Sequence, residues 1–208
     1  MATLTLGGKT VLTQTGSDEP VIGSNLTGSP ALNLSGSTFP AGHIIQTKFV
    51  HFDGEQTIGN GSNGLTFVNI GLGVSGQEFA IDMSVSSGNK ILGFGVIQHS
   101  ASNRYGAIKI YADSTQIAMA AVAGNRARVT VSNQMNDSAT NDSIVLKNLS
   151  FQFHHTPSDT SSHTYSVKGG NTYENSRYFY VNKPKDDGDN ASYIHRGYSH
   201  FMLMEVAQ

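Results

Sequence analysis

Short runs in which apolar and polar residues alternate constrain the fold of this chain more than any other feature. The run from Phe79 to Val85 alternates with a period of two residues, as a strand with one buried face does. The run from Ile91 to Ile97 is nearly continuous and apolar, which predicts a strand buried on both faces. No window carries a convincing apolar stripe with the period of a helix. The pattern therefore predicts an all-β protein.

Turns separate these runs at fairly even spacing. Residues that favour turns cluster, for example, at Ser87–Asn89 and Gly169–Asn171. The other predicted strands of the body are Ile44–Val50, Val68–Val74, Tyr105–Tyr111, Gln116–Ala121, Ala127–Ser132, Ile144–His154, Thr164–Lys168, Arg177–Asn182 and His200–Ala207. Many short strands of this kind favour an antiparallel β-sandwich, and in particular a jelly-roll-like one.

The last predicted strand is largely apolar on both sides. Between Phe201 and Val206 only Glu205 is polar, and alternate residues of a strand point to opposite faces. A strand with two apolar faces belongs inside a sheet rather than at its edge. We therefore predict that the C-terminal strand is internal.

The stretch from Phe39 to Val50 marks a boundary between two parts of the chain. Pro40 fixes one backbone angle and Gly42 supplies a flexible hinge, so the chain enters the first strand of the body at a defined place. Before this stretch Gly, Ser and Thr dominate and apolar residues are sparse. We predict an N-terminal attachment arm, residues 1–38, and a β-sandwich head, residues 39–208.

The predicted arm carries scattered aliphatic residues on a background that cannot form a core. The Gly7–Gly8 pair between two alternating segments predicts a small hairpin. From Gln14 to Ser37 too little apolar area is available to offset the entropy of ordering the segment alone. A flexible linker would have no use for aliphatic side chains, so we favour an extended segment that orders against a neighbouring subunit or a particle surface. The candidate attachment residues are Leu4, Leu6, Val11, Leu12, Val21, Ile22, Leu26, Leu32 and Leu34.

The composition excludes several functional classes. Only 13% of the 208 residues are charged and the formal net charge is -2, which gives no basis for binding nucleic acid by phosphate neutralisation. The chain has no Cys, which removes disulfides, thiolate metal sites and cysteine nucleophiles. The N-terminal residues lack the basic and apolar regions of a signal peptide, and no apolar run is long enough to span a membrane. We expect a soluble protein made in a cytoplasm.

The histidines and acidic residues do not predict a metal site. His154 and His155 with His163 form the densest histidine cluster, but adjacent residues of a strand point to opposite faces. His195 and His200 are interpreted as polar surface or subunit-contact residues. The segment 185–190 resembles a calcium loop superficially, yet it lacks the closing bidentate Glu, so an exposed acidic turn is the favoured interpretation. We predict neither a metal nor a cofactor.

Catalytic motifs are also missing from the sequence, which contains no GxSxG elbow and no phosphate-binding glycine loop. The prediction is a protein that is not an enzyme. Tyrosines could stack on sugar rings, although in a β protein such residues are more often cross-strand packing residues. The candidate ligand-binding residues are Tyr173, Tyr178, Tyr180, Tyr193 and Tyr198.

Several ordered segments resemble a family of bacteriophage virion proteins that comprises tail-fibre, neck-appendage and head-decoration proteins. The resemblance covers residues 39–208, and its segments occur in the same order. They are Phe39–Gln46 at the start of the body, Gly64–Val68, Asn89–Leu92, His163–Lys168 and the closing strand Phe201–Ala207. This resemblance implies a homotrimeric β-sandwich head with an N-terminal arm that attaches to the particle, and no catalytic residues.

The arm departs from a long tail fibre because it contains no coiled-coil or β-helical shaft. We therefore expect a short fibre or a capsid decoration protein, located in the virion and bound to capsid, neck or tail proteins. The alternative is a fibre-tip adhesin that binds a host receptor or surface glycan. A sugar-processing enzyme is a third hypothesis, but no carboxylate pair at a suitable spacing supports it.

Overall fold

The structure is a computed structural model that describes residues 2–6, 9–14, 21–22, 40–59, 66–74, 78–101, 105–134, 145–172, 177–188 and 194–208. Contacts within the chain divide it into two units, Met1–Thr38 and Phe39–Gln208. No helix occurs in the described ranges. The strands are β1 (Ala2–Leu6), β2 (Lys9–Gln14), β3 (Val21–Ile22), β4 (Ile44–Phe52), β5 (Gln56–Gly59), β6 (Val68–Asn69), β7 (Ala80–Ser84), β8 (Lys90–Ala101), β9 (Tyr105–Ala112), β10 (Thr115–Ile117), β11 (Val131–Gln134), β12 (Lys147–His155), β13 (Ser162–Asn171), β14 (Tyr178–Val181) and β15 (Ser199–Val206).

The N-terminal unit contains a three-stranded antiparallel sheet in the order β1-β2-β3. β1 and β2 form the predicted hairpin, with Leu4 opposite Leu12 and a register shift between Leu4 and Thr5. The third strand was not predicted: Val21 and Ile22 pair with β2, with Ile22 opposite Leu12. Strand pairing therefore extends into the segment from Gln14 to Ser37, for which the composition predicted no structure of its own.

The second unit contains two antiparallel sheets. In one, β8 pairs with β12 along one edge, and with β15 and then β14 along the other, while β4 and β5 follow outside β15 and β14. In the other, β9 and β13 are central, β10 and β11 pair with β9, and β7 and β6 pair with β13. We call the sheet that contains β8 and β15 the β8 sheet. These antiparallel sheets confirm the predicted all-β sandwich.

A core rich in aromatic side chains fills the space between the two sheets. Phe201 from β15 lies within 5.8 to 6.3 Å of the rings of Phe151, Phe79 and Phe153, measured between ring centroids. The Phe153 ring in turn stacks on Tyr165 of the opposite sheet. The core also contains Phe52, Ile58, Ile70, Ile81, Met83, Ile91, Ile97, Ile108, Ile110, Leu149, Val167, Phe179, Val181 and Leu203. The aromatic residues join the sheets because each contributes a large apolar surface.

Side chains from the edge strand β4 reach the edge of the opposite sheet. Lys48 Nζ donates a 2.7 Å hydrogen bond to the carbonyl oxygen of Asp82 in β7, and Gln46 Nε2 donates one of 2.7 Å to that of Ser84. Both carbonyl groups lie on β7, so the two hydrogen bonds tie the sheets together along this side of the sandwich.

The predicted strand Val68–Val74 is wrong beyond Asn69. The chain turns from Ile70 to Gly73, because Gly71 and Gly73 adopt φ values of 83° and 82°, which a strand does not allow. Ile70 still enters the core although it lies outside the strand.

Other predicted strand boundaries also change. The strand predicted from Gln116 to Ala121 ends at Ile117, where Ala118 has a φ of 50°. The strand predicted from Ala127 to Ser132 occurs instead as β11, whose first residue is Val131. Strand β5 was not predicted. Turns and short edge strands thus account for these differences.

Two predictions about central strands have different outcomes. β15 lies between β4 and β8, so the prediction of an internal C-terminal strand is confirmed. The prediction that the Ile91–Ile97 strand is buried on both faces is wrong. Residues such as Ile91 and Ile97 are fully buried, but on the opposite face Phe94 is 36% exposed. In a single chain the sandwich covers only one side of this sheet.

Candidate functional site

The side of the β8 sheet that points away from the core forms a continuous surface across four strands, which we call the outer face. Phe49 is opposite Met202, Met202 is opposite Phe94, and Phe94 is opposite Gln152. Paired residues of neighbouring strands point to the same side, so these four form one row. With the rows on each side, the outer face comprises Thr47, Phe49, His51, Leu92, Phe94, Val96, Ser150, Gln152, His154, His200, Met202 and Met204.

The outer face is apolar at its centre and carries no Asp, Glu, Lys or Arg. Phe49 is 72% exposed, an unusual state for a phenylalanine on a regular strand. Met202 beside it is only half-buried, and so are Leu92 and Val96 on β8. Contiguous exposed apolar area of this kind marks a surface that binds another molecule.

A group of aromatic and imidazole rings lies along one side of the outer face. Tyr198 stacks on His51, with 5.6 Å between the ring centroids, and its ring lies 6.3 Å from that of His200. His51 and His200 are directly opposite each other on β4 and β15. Tyr198 is 51% exposed. The stack therefore presents ring faces and polar atoms together, as the rim of a binding surface often does.

A second aromatic pair lies on the same side of the β8 sheet. Tyr180 is opposite Ser100, which is four residues beyond Val96 and therefore points to the same side. The rings of Tyr178 and Tyr180 are 6.0 Å apart, and Tyr178 is 43% exposed. Burial raises the pKa of the Tyr180 hydroxyl, to which the neighbouring Tyr178 also contributes. The pair offers ring surface to a ligand.

The predicted ligand-binding tyrosines thus lie on one side of one sheet where the structure describes them. Tyr178 and Tyr180 are together at β14, and Tyr198 belongs to the separate stack with His51 and His200. Tyr173 and Tyr193 lie outside the described residues. The histidine partners of Tyr198 were not identified as a group from the sequence, since His51 and His200 become neighbours only through the pairing of β4 with β15.

The predicted attachment residues are placed only in part. Leu4 and Leu6 lie on β1, Val11 and Leu12 on β2, and Val21 and Ile22 on β3. Leu26, Leu32 and Leu34 lie outside the described residues. The structure gives the backbone pairing of these strands, and the role of the side chains stays a prediction.

A buried carboxylate holds β15 in place beneath the outer face. Glu205, 1% exposed, accepts hydrogen bonds from Asn89 Nδ2 at 2.7 Å, Gln46 Nε2 at 2.7 Å and Ser86 N at 2.8 Å. Burial alone would raise the pKa of this carboxyl, but the hydrogen bonds from Asn89, Gln46 and Ser86 outweigh it and the pKa is lowered. Glu205 is therefore ionised and connects β15 with β4 and the turn before β8.

Histidine 163, which belonged to the densest histidine cluster in the sequence, pairs with carboxylates. His163 Nδ1 lies 2.7 Å from Asp113 Oδ2, and Thr164 N donates a 2.9 Å hydrogen bond to the other Asp113 oxygen. His163 Nε2 lies 3.3 Å from Asp159 Oδ1 but makes no hydrogen bond in the described structure. The hydrogen bond that His163 donates to Asp113 raises the pKa of His163, and the same bond lowers the pKa of Asp113. The pair fixes the turn after β9 against β13.

The other two members of that histidine cluster point away from each other, as predicted. His154 is exposed on the outer face, and His155 Nδ1 lies 2.9 Å from the hydroxyl of Tyr165. Among the described residues, no group of three or more His, Asp and Glu side chains is arranged to hold a metal ion.

A buried histidine in β8 has a structural environment. His99 packs its ring on Phe179, with 5.2 Å between centroids, and its Nδ1 lies 3.0 Å from the carbonyl oxygen of Lys147. Because burial disfavours the charged form, the pKa of His99 is lowered to about 4. The ring is therefore neutral near pH 7 and donates from Nδ1 to the Lys147 carbonyl.

The acidic turn predicted near residues 185–190 takes part in an ion-pair network. Asp187 lies 3.4 Å from Arg196 and 3.9 Å from Lys183, and both cations also pair with Glu55. Residues 189–193 lie outside the described structure. The network connects the segment between β4 and β5 with those on both sides of residues 189–193. Residues 185–188 are exposed, as predicted, although the side chain of Asp187 is only 21% exposed.

In the part of the chain that the structure describes, no helix is long and apolar enough to cross a membrane.

No protein-family model matches this chain, and a search of curated proteins finds no match. Among solved structures, it is similar to a chain in the structure of infectious bursal disease virus, Gx strain, with 7% sequence identity and a TM-score of 0.28. The match covers 79% of this chain and 37% of that chain. This chain therefore spans less than two thirds of the length of that neighbour.

Proposed function

We propose that this chain is a structural, non-enzymatic component of a bacteriophage virion, either a short fibre or a capsid decoration protein. In this proposal the head assembles as a homotrimer and the N-terminal unit attaches it to the particle. The observation that carries the proposal is the exposed, uncharged apolar surface around Phe49 and Phe94. A sheet face of this kind suits permanent contact with another protein surface rather than catalysis.

Two further observations support an assembly role. Residues Met1–Thr38 form a unit separate from Phe39–Gln208, which is what an attachment segment requires. The segments that resemble bacteriophage virion proteins include Asn89–Leu92 and Phe201–Ala207, which contribute to the two central strands of the β8 sheet. The sequence resemblance and the candidate surface therefore involve the same strands.

The attachment role is tested by deleting residues 2–37 and adding the shortened protein to particles that lack this chain. We expect the head to keep its circular dichroism spectrum and its oligomer mass but to lose attachment. Several arms bound at once would strengthen attachment, so loss of all of them has a large effect. Unimpaired attachment would move the anchoring surface to the head and contradict the role of the arm.

A second candidate function is recognition of a host receptor or surface glycan by the head. The observation that favours it is the pair of neighbouring rings of Tyr178 and Tyr180 beside exposed sheet surface. Sugar rings stack on exposed aromatic faces, and an uncharged site suits neutral saccharides. Glycan-array binding that is lost in Tyr178→Ala, with the melting temperature unchanged, would support this function. Equal binding by the variant and the wild type would contradict a role for the pair.

A further inference from the structure

We infer that the outer face is the contact between copies of this chain, which pack with Phe49, Phe94 and Met202 directed at a shared symmetry axis. The inference rests on the proposed function for the existence of a homo-oligomer, and it adds the surface through which the copies meet. The partner is thus a second copy of the same chain.

The exposed area of the outer face supports a contact between copies. The middle row places Phe49, Met202 and Phe94 side by side on three adjacent strands, with Phe49 72% and Phe94 36% exposed. Four strands and three rows correspond to roughly 19 Å by roughly 20 Å, or about 400 Å² of sheet. Six of the 12 positions are apolar and contiguous, so the apolar centre covers about half of this area, and a contiguous exposed apolar surface marks an interaction site.

The lack of charged side chains on the outer face also supports a contact between copies. Around a symmetry axis a residue meets its own equivalents, so a charged side chain near the axis would be repelled by its copies. The 12 positions of the outer face contain no Asp, Glu, Lys or Arg. A charged partner would find no complementary group here, whereas a second copy brings an equally uncharged surface. The composition of the outer face therefore favours self-association.

The size of the outer face and its polar edges also suit a contact between copies. A standard interface buries about 800 Å² on each partner, with an apolar centre inside a polar rim. The outer face, with its polar edge positions included, supplies about half of that area. On one side the stack of Tyr198, His51 and His200 supplies rim groups, and His154 and Gln152 do so on the other. The outer face thus has the centre and the two rims that such an interface needs.

The contact is tested on the full chain by light scattering. We expect a multiple of the subunit mass for the wild type and a loss of that mass in Phe49→Glu, because the substitution buries a charge beside its copies. Val122 is a matched control, since it is 73% exposed against 72% for Phe49 and lies outside the outer face. Val122→Glu should keep the wild-type mass, and circular dichroism should show that both variants fold.

A second measurement does not depend on disrupting the contact. The chain contains no Cys, so Phe94→Cys introduces a single thiol at the centre of the outer face. A short bifunctional maleimide should link two copies of Phe94→Cys and none of Val122→Cys. A wild type of single-subunit mass at micromolar concentration would overturn the inference. So would a Phe49→Glu variant of unchanged mass together with absence of the Phe94→Cys link. The first result would also contradict the proposed homotrimer, whereas the second contradicts only the contact surface. Neither bears on the location in the virion, which fails only if the chain is absent from purified particles.

Discussion

The ring of Phe151 in β12 lies directly over Gly95 in β8, the residue opposite it in the strand pair. A Cβ atom at Gly95 would meet the Phe151 ring and would lie 2.7 Å from the carbonyl oxygen of His200. Phe153 lies over Gly93 in the same way, two residues along the strand. The two rings fill core space that the glycines leave open. Gly93 and Gly95 lie on the core side of β8, and Phe94 between them lies on the outer face.

We expect Gly95→Ala to lower the free energy of unfolding by about 1–3 kcal/mol, because a methyl group there overpacks the core against a ring and a backbone oxygen. Urea unfolding measures the change. Gly188→Ala is the control, since its Cβ would lie 3.4 Å from Ile194 Cδ1, an ordinary contact, and should change stability by less than about 0.5 kcal/mol. Equal stability of the two variants would contradict the packing described for Phe151.

Glu205 gives a prediction about the C-terminal strand. Glu205→Gln replaces one acceptor oxygen by an NH₂ group that faces the donors Asn89, Gln46 and Ser86. We expect a loss of about 1–3 kcal/mol, since a buried donor is left without an acceptor. Glu78→Gln, at an exposed position, is the matched control and should have little effect. A Glu205→Gln variant as stable as the control would show that the carboxylate does not hold β15.

The pair His163 and Asp113 predicts a pH dependence of stability. The pKa of His163 is raised from 6.5, so its contribution is fully present below pH 6.5 and is lost as the pH rises through the raised value. The pKa of Asp113 is lowered from 3.8, so its contribution is present above pH 3.8 and is lost as the pH falls through the lowered value. The pair therefore stabilises the fold most between pH 3.8 and pH 6.5.

The variant Asp113→Asn tests this window, because Asn tolerates the φ of 54° at this position and removes only the charge. The stability difference between wild type and variant, from urea unfolding at a series of pH values, should be largest inside the window and should shrink above it. Asp186→Asn, at an exposed position, should give a small difference that does not vary in this way. A difference for Asp113→Asn that is constant with pH would contradict the ion pair.

His99 predicts a loss of stability on acidification inside the range where the contribution of His163 and Asp113 is constant. Its pKa is lowered from 6.5 to about 4, so the unfolded chain takes up a proton there before the folded chain does. Stability should therefore fall as the pH drops from 6.5 towards 4, by up to roughly 1.4 kcal/mol per pH unit. His99→Gln can still donate to the Lys147 carbonyl but does not titrate. The slope should be absent in this variant, and an unchanged slope would exclude His99 as its source.

The sequence predicts the long strands well and the short edge strands poorly. β8, β9, β12, β13 and β15 have long runs with one core-facing side, and the alternation of apolar residues is decided by that burial. Val68–Val74 has the same alternation but turns, because Gly71 and Gly73 leave the strand conformation. Short edge strands such as β5 depend on pairing with β14, which no local pattern shows.

The outer face could not be separated from the core by sequence alone. Leu92, Phe94 and Val96 are as apolar as the core residues Ile91 and Ile97, so the run predicts burial on both sides. A surface that packs against another molecule has the same pattern as a buried one. The group around Tyr198 was equally hidden, because its members meet only once the strand register is known.

The proposed location of this chain in a bacteriophage virion can be measured on purified particles. The measurement is electron microscopy of particles whose genome encodes this chain, with a density tag fused at the C-terminal residue Gln208. If the chain is a virion component, tag density should appear at regular, symmetry-related positions on the capsid, neck or tail. The tag density should be missing from particles assembled without the chain. Particles that contain none of the chain, with all of it recovered free from the lysate, would contradict the proposed role as a virion component.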